Sequence, residues 1–276
     1  MKTIKRGGLA RARTLLINLT LKENRSKYKR SALGWAWSMV NPIGTMLIFT
    51  FVFRLILRIE PPVGNPSGLK NFPFFLISGL LPWNFLSNGL TAANGSIVGN
   101  AGLIKKVYFS RAVLPASAVL SWNTNLLVEL GVLAIALFFV GKVVLLLLPV
   151  AVVIIALQTL FVLGIGIGLS ALNVYFRDVE HFLQILLLLW FYATPVIYPI
   201  NYVPEQAVIA GYAVPVESLY NLNPMVHFVQ AYRAVFYDLR VPSLPEFTRM
   251  AFAAALSMMI GMFIFRKLEA RFAEEL

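Results

Sequence analysis

Four cations, Arg25, Lys27, Lys29 and Arg30, stop abruptly ahead of Trp35 and Trp37, and an apolar run opens behind them. Cations beside an apolar run bind anionic lipid headgroups and fix the orientation of a membrane span. Charge first, interfacial indoles next and apolar residues last is the order of a membrane boundary. A second group is aromatic: Phe49, Phe51, Phe53, Trp83, Phe85, Trp190, Phe191, Tyr192 and Tyr198 all fall in apolar stretches. Two readings stand for them. They are interfacial belts and lipid-facing packing, or some line a conduit, where flat ring faces stack on sugar rings without a fixed charge to trap the substrate.

Groups for covalent or acid–base catalysis are scarce. The chain has no cysteine and two histidines, His181 and His227, too few for a thiolate or histidine metal centre. Gly141-Lys142 is followed by Val143 and has no upstream partner glycine, so no phosphate-binding Walker loop exists. Gly164, Gly166 and Gly168 lie inside an apolar stretch, where small residues let helices approach closely. Asp178 and Glu180 sit beside Arg177 and read as a polar cap on a short loop. Two charges fall in or near the spans, Arg54 and Glu129; they pair across helices, or Glu129 lines a wet cavity. No cofactor or metal is expected on this chain.

The elements that must position these residues are membrane spans. The chain is 59% hydrophobic and 13% charged, with a mean hydropathy of +0.76, whereas soluble domains carry roughly 25% charged residues. The formal charge of +12 is compatible with nucleic acid, but 10 of the 24 Lys and Arg lie in residues 1–30, beside the first apolar run, which argues for membrane orientation instead. A spanning helix needs about 20 mostly apolar residues. Six windows meet that need: 34–57, 72–98, 115–140, 143–172, 182–199 and 247–265. The second holds Pro73, Pro82, Asn84, Asn88 and Asn94 and is expected to bend or break.

With the N-terminus in the cytosol, six spans put 17 of the 24 Lys and Arg on the inner side, so both termini are expected there. No apolar core with a cleavage site follows the basic N-terminus, and the first span is expected to serve as the membrane address. Before the boundary, Ala12, Leu15, Leu16 and Leu19 recur at helical spacing in Arg11–Lys22, an amphipathic helix suited to the headgroup plane. Between spans five and six, Asn223-Pro224 reads as a helix start, with Met225, Phe228, Tyr232 and Phe236 following at helical spacing. A helix from Pro224 to Tyr237 is about 21 Å long, too short to cross, so it dips in from the outer face or lies on it. The inner loop Leu103–Arg111 mixes apolar, aromatic and basic residues, which suits either docking on a soluble partner or lying on lipid. The fold class expected is an all-α polytopic membrane protein: six transmembrane helices, an N-terminal interfacial helix and short re-entrant outer helices. It forms a single transmembrane domain over 1–276, with 1–33 cytosolic and 200–246 on the outer side.

Several motifs resemble the membrane subunit of bacterial polysaccharide ABC exporters, which move O antigen, capsule or teichoic acid. They are Tyr28-Lys29-Arg30-Ser31-Ala32-Leu33-Gly34-Trp35-Ala36-Trp37 with Asn41-Pro42, Leu76-Ile77-Ser78-Gly79-Leu80-Leu81-Pro82-Trp83 and Leu103-Ile104-Lys105-Lys106-Val107-Tyr108-Phe109. In order after these come Asn173-Val174-Tyr175-Phe176-Arg177-Asp178-Val179, Tyr192-Ala193-Thr194-Pro195-Val196-Ile197-Tyr198-Pro199 and Asn223-Pro224. The resemblance implies two copies forming a channel in the cytoplasmic membrane, each engaging a separate ATPase subunit that holds ATP and Mg. It implies that Arg25, Lys27, Lys29 and Arg30 meet the pyrophosphate of a polyprenyl-linked glycan, and that Phe49, Phe53, Trp83, Phe85, Trp190, Phe191 and Tyr192 line the path. Coupling to the ATPase falls to Lys105, Lys106, Tyr108, Phe109 and Arg111, with Arg177 and Asp178. Residues 207–237, with Met225, Phe228, Tyr232 and Phe236, become the outer gate. A permease for a drug or small lipid would share this architecture, and a membrane glycan enzyme would need an acid or base among Glu129, Asp178 and Glu180.

Overall fold

The structure, a computed structural model, describes the chain apart from residues 1, 28, 30–33, 57, 59, 108, 210 and 211. Side chains are described apart from those and residues 2–12, 35, 38, 41, 208, 209, 212, 214 and 273. Helices run in the order α1 (Lys2–Lys27), α2 (Trp37–Phe49), α3 (Phe72–Gly99), α4 (Ala101–Ile104), α5 (Val113–Phe139), α6 (Leu148–Tyr175) and α7 (Val179–Tyr192). After them come strands β1 (Ala207–Ile209) and β2 (Tyr212–Val214), then α8 (Val216–Leu222), α9 (Pro224–Arg233), α10 (Leu244–Leu268) and α11 (Phe272–Glu275). The fold is helical, as the composition requires. The two strands pair antiparallel as a three-residue hairpin on the stretch before α8, a small departure from an all-α chain.

Local sequence sets the helix starts. Proline stands in the first turn of α3, α6, α9 and α10, where the missing N–H costs nothing. Asn223 caps α9 by accepting from the Met225 N–H at 3.0 Å. At α10, Ser243 and Glu246 form a reciprocal capping box.

Among the described residues three stretches, Val113–Phe139, Leu145–Tyr175 and Leu244–Arg271, are long and apolar enough to cross a bilayer; Pro42–Ile56 and Val179–Tyr192 are apolar but shorter. The second window does not break. It forms the continuous helix α3, with Pro82 inside it. The reason is its location: α3 is buried along its length, between α5 and α6 on one side and α9, α2 and α7 on the others. Its polar backbone is met by neighbours, with Gln158 Nε2 donating to the Pro82 carbonyl at 2.8 Å and Asn173 Nδ2 to the Asn94 carbonyl at 3.1 Å. The fifth window is corrected in length. α7 ends at Tyr192, so its 14 residues span about 21 Å, and the remainder of the window is a turn.

Two apolar clusters divide the bundle. One holds the N-terminal half of α3, the C-terminal half of α5, the start of α6 and all of α9. The other holds Leu19 of α1, Ile97 at the end of α3, Val113 and Leu114 at the start of α5, Val174 at the end of α6, Phe265 of α10 and Phe272 of α11. The helices therefore alternate in direction, and both terminal segments pack at the same end. The residues 11–22 expected as an amphipathic helix lie within the longer α1. Leu15, Leu16 and Leu19 turn into the second cluster, while Ile17 and Leu21 are exposed.

α6 and α10 make the closest helix contact. A Cβ on Gly164 would lie 2.3 Å from the Ser257 backbone, and one on Gly261 would lie 1.8 Å from the Gly164 carbonyl oxygen. Small residues in 164–168 do bring helices together, as their type predicts.

Candidate translocation groove and docking surfaces

Where α2, α3 and α7 meet they enclose an open groove of about 420 Å³. On α3 it is lined by Leu80, Asn84, Ser87 and Thr91, one face of the helix, and on α7 by Gln184, Leu187, Leu188 and Phe191. Thr45 and Phe49 complete it from α2. Three of the aromatics expected along a conduit come together here. Phe49 stacks on Phe191 with centroids 6.4 Å apart, and Trp83 meets Phe191 at 5.4 Å. Trp83 also packs edge-on against Trp190 at 6.1 Å, and Phe53 edge-on against Phe49 at 5.9 Å. Phe53, Trp190 and the exposed Tyr192 thus stand beside the groove rather than in its lining. Phe85, two residues from Trp83 and on another face of α3, is buried in the core.

Asn223 ties the outer end of this wall together. Its Oδ1 accepts from the Trp190 indole at 2.8 Å, and its Nδ2 donates to the Ala193 carbonyl and to Thr194 Oγ1, each at 3.0 Å. Beside it, Arg233 is 3% exposed and reaches from α9 to the turn after α7. Its guanidinium donates to the carbonyls of Pro195 and Val196, each at 2.6 Å, and lies 3.9 Å over the Phe75 ring. Charge counting assigns Arg233 to the segment between spans five and six; there it is a buried structural cation. Sequence offers no signal for it, because its acceptors lie 37 and 38 residues away.

The short helix expected from Pro224 to Tyr237 is present: α9 continues in a π-helical turn to Asp238. All four of its named residues, Met225, Phe228, Tyr232 and Phe236, are buried within the chain. Exposed apolar side chains in this region lie instead outside α9, at Leu219 and Leu222 of α8 and at Tyr202, Val241 and Leu244.

At the opposite end, Arg25 and Lys29 are exposed, and Arg30 lies outside the described residues. Lys27 parts from them. Its Nζ is buried 3.7 Å over the Trp122 ring of α5, beside the Asn24 contacts to Ser121 and Thr124. Burial lowers its pKa to about 7, against the raising effect of Glu23 and Glu129. Among the described residues no ion pair joins Glu129 to Arg54, which is exposed, and the charge that acts on Glu129 is Lys27; the expected Arg54–Glu129 pair is corrected. The two helices carrying Lys27 and Glu129 pack together, whereas Arg54 lies on the outer side of the π-helical segment Thr50–Ile56.

Of the inner-loop residues, Lys105, Lys106, Arg177 and Asp178 are exposed, Phe109 packs into the second cluster and Tyr108 lies outside the described residues. Arg111 is used within the chain. Its guanidinium donates to the Glu269 carbonyl and faces the Phe272 ring, closing the C-terminal end of α10.

The groove thus lies between two short apolar helices, in a bundle with three helices, among the described residues, long and apolar enough to cross a bilayer. The chain matches the ABC-2 type transporter family over residues 14–237. It is 32% identical to the O-antigen export system permease protein RfbA of Klebsiella pneumoniae over 261 residues, 94% of each chain. The RfbA permease protein of Myxococcus xanthus is also 32% identical, over 96% of each chain. The polysialic acid transport protein KpsM of Escherichia coli is 23% identical, over 91% of this chain and 92% of its own length. The family match over most of the chain and these relatives, aligned along nearly their whole length, agree: the chain belongs to the ABC-2 type transporter family.

Proposed function

We propose that the chain is the permease subunit of an exporter that carries a lipid-linked cell-surface polysaccharide across the cytoplasmic membrane, driven by a separate ATP-hydrolysing subunit. The observation that carries this reading is the similarity, along almost the whole of both chains, to O-antigen export permeases. The groove supports it, because its rings offer stacking faces and none of its lining residues is charged. One chain leaves the groove open on a side bordered by exposed apolar residues such as Leu47 and Leu188. A second copy related by a two-fold axis would present the same face and complete a passage. The whole chain serves as one permease domain of six spans. α1 lies on the inner face, both termini are cytosolic, and Arg25, Lys29 and Arg30 receive the diphosphate headgroup. Exposed Lys105, Lys106, Arg177 and Asp178 contact the ATPase, which holds ATP and Mg. Residues 200–246 form the outer gate, with α9 re-entrant and α8 as its movable surface.

The test is depletion of the chain in its host. The expected result is loss of surface glycan with lipid-linked glycan accumulating inside, and ATPase activity only when the partner subunit is added to the purified chain. Unchanged surface glycan would remove the reading, and accumulation of a drug or small lipid in its place would assign the other substrate class.

A further inference from the structure

The groove carries a second kind of lining that aromatic stacking leaves unexplained. Asn84, Ser87 and Gln184 line it, and among the described residues none of these side chains makes a hydrogen bond within the chain. Several other polar side chains of the bundle bond to backbone carbonyls: Ser78 to Phe75, Thr159 to Ile155 and Gln158 to Pro82. An amide facing hydrocarbon without a partner is costly, so these groups must meet water or a hydroxyl-rich substrate.

Their placement is ordered. Thr45 precedes Phe49 by one turn on α2, Gln184 precedes Phe191 by two turns on α7, and Ser87 follows Trp83 by one turn on α3, which runs the opposite way. All three helices therefore put the aromatic residue toward the end that holds α9, and the polar residue toward the end that holds α1. The groove is an aromatic collar set above a neutral polar belt. A sugar unit has the matching pair of surfaces, an apolar ring face and a rim of hydroxyls.

Resting on the export reading above, we infer that Asn84, Ser87 and Gln184, with Thr45, form a hydrogen-bonding belt for the hydroxyls of uncharged sugar units in transit. No ionisable side chain lines this groove, so it binds through hydroxyl contacts and not through charge.

The experiment uses the full transporter with its ATPase subunit, in the host and purified. The double variant Asn84→Leu/Gln184→Leu is expected to slow glycan export about tenfold, the scale of losing two hydrogen bonds, with complex assembly and thermal stability unchanged. Asn84→Ser/Gln184→Ser, which keeps hydroxyls of shorter reach, gives an intermediate rate. Asn88→Leu, outside the groove, leaves export at the wild-type rate. Wild-type export by the leucine pair overturns the belt while leaving the export reading intact. Loss of assembly in both pairs also overturns it, assigning these residues to packing. Normal surface glycan after deletion of the whole chain removes the export reading itself.

Discussion

The Trp190 indole N–H donates to Asn223 Oδ1 at 2.8 Å, fastening the last turns of α7 to the residue that caps α9. The same oxygen accepts from the Met225 N–H, so one carboxamide both caps α9 and anchors the wall of the groove. Asn223→Ala removes the cap and three cross-links at once, and is expected to cost about 2–4 kcal/mol in thermal unfolding of the purified protein. Asn223→Asp keeps the acceptor for Trp190 and Met225 but loses the donor bonds to Ala193 and Thr194, and falls between.

Arg233 governs the next contact outward. Replacing it with Met leaves the carbonyls of Pro195 and Val196 buried and unpaired, a loss of about 3–5 kcal/mol. Arg233→Lys recovers part of this, because a single ammonium lacks the planar fork that reaches both oxygens. Equal stability of the Met and Lys variants in unfolding experiments would refute the fork.

Local patterns were readable in the chain; long-range partners were not. The start of α9 is local chemistry, an Asn-Pro pair before an apolar periodicity, and its extent is right to within one residue. The groove aromatics were legible as a set but not by direction. α3 carries a polar stripe at Asn84, Ser87 and Thr91, but that stripe alone does not show that Trp83 borders the groove and Phe85 the core. Likewise Lys27 belongs by sequence to a basic run; only the fold brings it over Trp122, 95 positions away in the chain. The choice of Lys27 over Arg54 as the group facing Glu129 is tertiary for the same reason.

The α6–α10 contact depends on two absent side chains. Gly261→Ala puts a methyl group into the Gly164 backbone, and the helices must separate; a loss of at least about 2 kcal/mol is expected. Gly131→Ala, on α5 with open space around it, is expected to gain up to about 1 kcal/mol from helix propensity. Thermal unfolding of the two variants side by side checks the sign of each.

Charge reversal at Lys105 and Lys106 tests coupling separately from folding, because both side chains are exposed. The double Glu variant is expected to fold normally and to lose at least about tenfold in affinity for the ATPase subunit. Arg111→Glu is expected to act differently. It removes the donor to the Glu269 carbonyl at the end of α10 and lowers stability before it affects docking. Co-purification together with unfolding midpoints separates the two effects, and unchanged co-purification of the lysine variant would remove the docking role.

Docking of α1 on α5 should depend on pH through Lys27. Burial against Trp122 brings its pKa to about 7, below the ordinary value of 10.5, and the carboxylates of Glu23 and Glu129 oppose the shift. An undocked helix returns Lys27 to water and to the ordinary value. Between about 7 and 10.5 the undocked state therefore binds more protons than the docked one, and raising the pH through that window strengthens docking. Below about 7 the side chain is protonated in both states and the dependence flattens. Lys27→Met keeps the apolar stem over the indole and removes the proton, so it abolishes this slope and is more stable than the parent at pH 6. Unfolding midpoints of both proteins from pH 6 to pH 9 are the measurement. Parallel curves would mean that Lys27 keeps its proton across the range and that its ammonium is paid for by the indole face and the two carboxylates.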